Sequence, residues 1–326
     1  MKKNRYIKLK IKEWAKAILY ALAILFLVQQ FIYNRLHITH SQMSPNISNG
    51  DYLLINKWNI GTRLPNSLIG TNFSLPTLRL PFGSEINRFD IIAFNSPIDS
   101  TQPINQKPIY ISRIIGLPGD TVQIQNGNIL VNQTIINEPF DTKHPYIINF
   151  HPDANPAQVL RSVGEYELYG PYKKHQYRAY LSARQVPLIK NSKWVSKLEL
   201  IDWKKGIEAY TAINCKHCNW NLDNFGPIEV YRQDQIINLN SKILEIHPNL
   251  FSSSRREKKA DVSNFKINQD YYFVLGDNRH NAIDSRYFGL VPKSHIIGRI
   301  KTVLFNYDKA NPYKSVKWNR TLKSLK

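Results

Sequence analysis

The chain has 326 residues, with 44 Lys+Arg against 24 Asp+Glu, a formal net charge of +20, 42% hydrophobic and 21% charged residues. That much apolar material closes a core in one or two domains and excludes disorder as the main state. The positive charge would suit nucleic acid, yet no zinc-finger spacing, recognition-helix pattern or RNA-binding signature accompanies it, so no nucleic-acid partner is expected.

Residues 17–33, AILYALAILFLVQQFIY, form an apolar run broken only by Gln29 and Gln30. Its length is the lower limit for a helix crossing about 30 Å of hydrocarbon. Residues 1–16 hold Lys2, Lys3, Arg5, Lys8, Lys10, Lys12 and Lys16 against Glu13 alone. The positive-inside rule then makes 1–16 a cytoplasmic basic N-terminus, 17–33 a single transmembrane helix, and the remainder external. Asn34-Arg35-Leu36-His37-Ile38 lacks the small-x-small site of a cleaved signal peptide, so the anchor is expected to stay. No later segment is apolar enough to cross again, because Ile296 to Phe305 contains Arg299 and Lys301.

Beyond the anchor the pattern is β. Tyr52–Ile55, Asp90–Phe94, Tyr110–Ile115, Val122–Ile124, Ile129–Val131, Tyr271–Leu275 and Ile296–Phe305 are short apolar or β-branched runs separated by Gly, Asn and Pro. Such spacing predicts a mainly β, antiparallel fold. Residues 38–140 and 262–326 are expected to make this β domain. Residues 141–261, polar and aromatic with one predicted helix over Asn155–Val163, are expected to be an inserted subdomain. Cys215 and Cys218 lie in Cys215-Lys216-His217-Cys218, too few ligands for zinc, so no metal is expected. A short loop disulfide and two free thiols both remain open.

Three motifs stand in order after the anchor. The first is His40-Ser41-Gln42-Met43-Ser44-Pro45, leading into Asn49-Gly50-Asp51-Tyr52. The second is Tyr110-Ile111-Ser112-Arg113-Ile114-Ile115-Gly116-Leu117-Pro118-Gly119-Asp120. The third runs from Gly276-Asp277-Asn278-Arg279-His280-Asn281-Ala282 through Asp284-Ser285-Arg286 to Gly289. Together they resemble type I signal peptidase, the serine–lysine leader peptidase family. Asn219-Trp220-Asn221 and Asp223-Asn224-Phe225-Gly226-Pro227 are similar to its Bacteroidetes version. The resemblance implies a signal-peptidase-like antiparallel β domain on one N-terminal transmembrane helix, in the bacterial inner (cytoplasmic) membrane with the main domain periplasmic. It also implies no cofactor, and an extended signal peptide bound as an added strand.

The sequence departs from that family where the chemistry lies. Met43 and Pro45 hold the register, which puts Gln42 at the nucleophile's position and His40 at the position of the hydroxyl that assists the oxyanion. Arg113 puts Ser112 at the general base, and the third motif puts Ala282 at the serine that orients that base. Removing a nucleophile alone costs about 10⁶ in kcat in subtilisin. Proteolytic inactivity is therefore expected, with His40, Gln42, Met43 and Ser112 lining a peptide groove. Arg113, Asp277, Arg279, Asp284 and Arg286 are expected to brace it as a charged network. Ser41 is one residue early, and in an extended segment its side chain would point away from the cleft; His40 as a base would have the same facing problem, and Lys57 is a further candidate base. The expected partners are membrane lipid and signal peptides, the Sec translocon or another envelope protein complex. The alternative is an active type I signal peptidase with an atypical site. The apolar stretch Trp58–Phe82 suits either a membrane-facing surface or plain core.

Overall fold

The computed structural model describes residues 2–63, 79–80, 83–98, 102–164, 166–204, 213, 218–247, 262–307 and 316–325. In chain order the helix α1 (Lys2–Phe31) precedes β1 (Tyr33–His37), β2 (Asp51–Asn56), β3 (Ile91–Asn95), β4 (Ile109–Gly116), β5 (Thr121–Gln125), β6 (Asn128–Val131), β7 (Thr134–Ile135) and β8 (Lys143–Phe150). Then come α2 (Pro156–Arg161), β9 (Leu168–Lys173), β10 (Gln176–Ser182), α3 (Gln185–Lys190), β11 (Val195–Leu200), β12 (Phe225–Glu229), β13 (Ile236–Leu239) and α4 (Ser241–Ile246). The chain closes with β14 (Val262–Lys266), β15 (Tyr271–Leu275), α5 (Ser285–Phe288), β16 (Val291–Pro292), β17 (Ile296–Asn306) and β18 (Lys323–Ser324).

The protein is mainly β, and its sheets are antiparallel. The largest runs β1-β2-β17-β3-β4-β15-β16, with β18 added on β17. Two four-stranded sheets, β12-β5-β6-β7 and β11-β8-β10-β9, and the pair β13-β14 complete the architecture. The apolar runs that lack polar alternation are those buried on both faces. In β15, Tyr271, Phe273 and Leu275 enter one core while Tyr272 and Val274 enter another, as expected of a strand packed between two layers. In β4, Ile111, Ile114 and Ile115 enter three different clusters. β2 instead alternates, burying Leu53 and Ile55 and leaving Tyr52 and Leu54 half-buried. The segment 141–261 contributes the sheet β11-β8-β10-β9 around Ile148, Leu160, Leu181 and Ile189. Its β12 pairs with β5 of the preceding segment. The predicted helix is α2, whose Asn155 cap accepts from the Gln158 amide.

α1 is one continuous helix through both the basic and the apolar segments. Ile18, Leu19, Leu22, Leu25, Phe26 and Leu27 are each more than half exposed, so none of the described residues covers them. The bounds of the helix differ from the expected 17–33. The helix stops at Phe31 and Tyr33 already belongs to β1. Among the described residues, no helix is long and apolar enough to cross a membrane. Most of Trp58–Phe82 lies outside the described residues; within it Ile60 is buried and Trp58 exposed.

Candidate functional site

The first motif is a turn, not an extended strand. The Ser44 amide donates to the Ser41 carbonyl and the Ile47 amide to the Met43 carbonyl, both at 2.9 Å. Met43 and Ile47 are sunk in the core with Leu53, Ile55, Ile91 and Ile111, which anchors the turn and leaves Gln42, just before Met43, half-buried. The Gln42 carbonyl accepts from the Asn278 amide at 3.0 Å. Its side-chain Nε2 donates to the Ile111 carbonyl of β4 at 3.0 Å, and the Ser112 hydroxyl donates to that same oxygen at 2.8 Å. One carbonyl has two lone pairs, and these two side chains occupy both. The third motif closes from the other side. A Cβ on Gly276 would stand 2.3 Å from the Ala282 Cβ and 2.8 Å from the Gln42 carbonyl oxygen, so only glycine allows this approach. Gln42, Ser112 and Ala282 therefore converge, while His40 stays exposed. Of the four residues expected to face a peptide, Met43 and Ser112 are buried and only His40 and Gln42 present surface. A primary amide and a hydroxyl that donates to a carbonyl supply neither a nucleophile of useful strength nor a proton acceptor at neutral pH.

Ser41 faces elsewhere because of the turn, not because of strand pleating. Its hydroxyl accepts from Asn281 Nδ2 at 3.3 Å, and its carbonyl accepts from Asn278 Nδ2 at 3.2 Å. Both asparagines also donate to the Glu167 carboxylate, at 2.6 Å and 3.0 Å respectively. Lys143, the only buried lysine among the described residues, places Nζ 3.9 Å from Glu167 Oε1. It reaches the third motif by backbone pairing: its amide donates to the Asp277 carbonyl and its carbonyl accepts from the Arg279 amide. Sequence reasoning missed Lys143 and Glu167, since a single Lys and Glu in polar surroundings carry no signal. Lys57 donates to the Gln29 carbonyl at the end of α1, 3.1 Å away. Burial first, and then Arg63, push its pKa below the usual lysine range.

The arginine network is present as two buried pairs with a link. Arg113 grips Asp277 through Nε at 2.9 Å and Nη2 at 2.7 Å, lies on the Phe140 ring at 3.6 Å, and donates to the Phe89 carbonyl. Asn46 donates to the same carboxylate at 2.7 Å. Arg286 holds Asp284 through Nε at 2.9 Å and Nη2 at 2.7 Å. Asp284 in turn caps α5 and accepts from the Gly276 amide. Burial opposes the charge on Arg286, but Asp284 outweighs it and holds the guanidinium pKa above its ordinary value. Arg286 donates to the Arg279 carbonyl at 2.5 Å, and Arg279 pairs with Glu138. The Arg113–Asp277 and Arg286–Asp284 pairs are buried and bidentate, unlike the exposed pairs that contribute little.

His280 continues the motif into the middle segment. Its Nε2 lies 3.1 Å from Asp223 Oδ2, and Trp203 meets its ring edge-on at 5.0 Å. Burial opposes ionisation of Asp223, yet the His280 contact and the Trp203 amide hold its pKa below the usual carboxylate value. Nearby His144 is pushed down to about 4, by burial first and then by Arg279. Cys218 is disulfide-bonded; Cys215 lies outside the described residues.

A family model described as signal peptidase, peptidase S26, matches residues 11–178 and 226–305. A signal peptidase I of Buchnera aphidicola subsp. Schizaphis graminum is 25% identical over 286 residues, covering 88% of this chain and 72% of that protein. A signal peptidase I of Aquifex aeolicus is 24% identical over 319 residues, covering 94% of this chain and 91% of that one. A solved signal peptidase I from Enterococcus faecalis is 17% identical over 66% of this chain and 97% of its own, at a TM-score of 0.24, too loose to bear on the fold. The family match covers the turn that carries Gln42, the strand that carries Ser112 and the loop that carries Ala282, and on that match the chain belongs to the signal peptidase family, peptidase S26.

Proposed function

We propose that this chain is a membrane-anchored signal peptidase homologue that binds without cutting. The observation that carries the reading is the shared carbonyl: Gln42 Nε2 and Ser112 Oγ both bond to Ile111 O, leaving no hydroxyl beside a neutral amine where the family's serine and lysine would act. Its ligands on this reading are signal peptides, the Sec translocon or another envelope protein complex. The exposed apolar face of α1 supports its role as a single-pass anchor in the bacterial inner membrane. The basic residues before it favour a cytoplasmic N-terminus, with a periplasmic domain from about residue 38.

A second reading, an active peptidase with an atypical site, draws on Ser41 and the buried Lys143. Against it, Lys143 Nζ lies 3.9 Å from the Glu167 carboxylate and the Ser41 hydroxyl is bonded to Asn281 Nδ2. The experiment is photocrosslinking from position 42 in membranes that carry a nascent preprotein. The proposal expects adducts to intact preprotein or to one defined envelope protein. Adducts to the mature product, or none at position 42 while a probe at Trp194 captures a partner, would overturn binding in this groove.

A further inference from the structure

The motif around Asn219-Trp220-Asn221 and Asn224-Phe225-Gly226-Pro227 takes no part in the site above, yet it builds a cavity of its own. β12 pairs with β5 at Phe225↔Ile124 and again at Ile228↔Val122. Gly226 and Pro227 therefore stand together opposite Gln123, a bulge that turns the strand edge outward. Gly226 has φ +87, and a Cβ there would meet the Val122 carbonyl oxygen at 2.8 Å, so the bulge requires glycine. Between this bulge, the Asn219-Trp220 segment and α4 opens a cavity of about 550 Å³. That volume is within the range of small-molecule sites.

Its walls have a distinct chemistry. The side chains of Gln123, Gln125, Asn126 and Asn219 line it and make no hydrogen bond within the described chain. Each amide both donates and accepts. Trp220 forms a half-buried flat wall, held by the Phe225 ring at 4.7 Å. Lys242 on α4 adds an exposed ammonium with no acidic partner, and no carboxylate is among the described lining residues. Four free amides match the mixed donors and acceptors of hydroxyl groups. The indole offers a rigid amphipathic face for a sugar ring, and the lone ammonium selects an anionic substituent. An added peptide strand fits less well, because the bulge interrupts the ladder that the strand would need and Pro227 has no N–H to give.

We infer that this cavity is a binding site for an acidic saccharide, separate from the Gln42 site and independent of whether that site is active. The test is calorimetric titration of the full chain in detergent with trigalacturonate, maltotriose and trialanine. The inference expects saturable binding of trigalacturonate with a Kd of about 1 mM or tighter, and a loss of about tenfold in Lys242→Met. Maltotriose should bind more weakly than trigalacturonate. Binding should vanish in Trp220→Ala. Because that change also strips packing from Phe225, the exposed pair Asn219→Ala with Lys242→Met serves as a second variant and should lose binding with the unfolding temperature unchanged. No saturable binding of trigalacturonate, equal or tighter binding of maltotriose, binding that survives both variants, or binding of trialanine in its place would each overturn the inference.

Discussion

Asp277→Ala removes the carboxylate from a guanidinium that has no access to water: the Arg113 side chain is 0% exposed and that of Asp277 1%. Taking away one member of a buried pair costs about 3–5 kcal/mol, because the remaining charge stays desolvated and uncompensated. Asn46 Nδ2 loses an acceptor at the same time, which adds about 1 kcal/mol. Against a typical total stability of about 5–15 kcal/mol, the variant should lose about a quarter of its stability or more. Arg113→Met with Asp277→Ala removes both charges and replaces the guanidinium with a side chain that still covers Phe140. Buried pairs replaced by apolar groups are often neutral, so the double variant should recover most of the loss. The assay is urea unfolding of the full chain in detergent, followed by tryptophan fluorescence, with the two single variants and the double variant forming a cycle. A loss below about 1 kcal/mol in Asp277→Ala, or a double variant no more stable than that single one, would refute the buried-pair reasoning.

Gly276→Ala would push a methyl group against Ala282 and the Gln42 carbonyl; denaturation should show a cost of about 1–3 kcal/mol, and an unchanged midpoint would contradict the close approach. Glu167→Ala takes the acceptor from Asn278 and Asn281; a loss of roughly 1.5–3 kcal/mol is expected, with faster hydrogen exchange in residues 40–45, and unchanged exchange would count against the link. His144, His247 and His295 have folded pKa values lowered to about 4, about 3 and about 4, each chiefly by burial. The unfolded chain therefore binds protons that the folded one refuses as pH falls from about 6.5 towards 4, and stability should drop across that window at about 1.4 kcal/mol per pH unit for each histidine. A His247→Phe variant should show a shallower decline, and an identical slope would refute its part. Labelling of single-cysteine variants from outside the cell should reach position 153 and not position 10 if the domain is periplasmic; the reverse pattern would overturn the topology.

How much was legible depended on which face of each strand is buried. β15 could be read because an unbroken apolar run such as Tyr271–Leu275 has few other solutions. β9 and β11 could not, since they leave most residues exposed or half-exposed and expose Tyr169 and Leu200; pairing with β10 and β8 holds them, and pairing leaves little trace in composition. At the site, Gln42, Ser112 and Ala282 were legible through their neighbours: Met43 and Pro45 fix one register, Arg113 another. That Gln42 and Ser112 share one carbonyl was not legible, because it depends on the turn at Ser41–Ser44 where an extended segment was expected. Lys143 joins the third motif by pairing with Asp277 and Arg279, and Glu167 by accepting from Asn278 and Asn281, long-range contacts that no local pattern announces.

The measurement that bears most directly on the central claim is cleavage of a preprotein by the purified full chain, with products identified by mass spectrometry. The account predicts no cleavage by the unmodified chain, by Gln42→Ser or by Ser112→Lys, because each single restoration still lacks the other half of the chemistry. Restoring both together with Ala282→Ser should give a trace of product. Cleavage by the unmodified chain at the signal-peptide junction, abolished by Ser41→Ala, would contradict it.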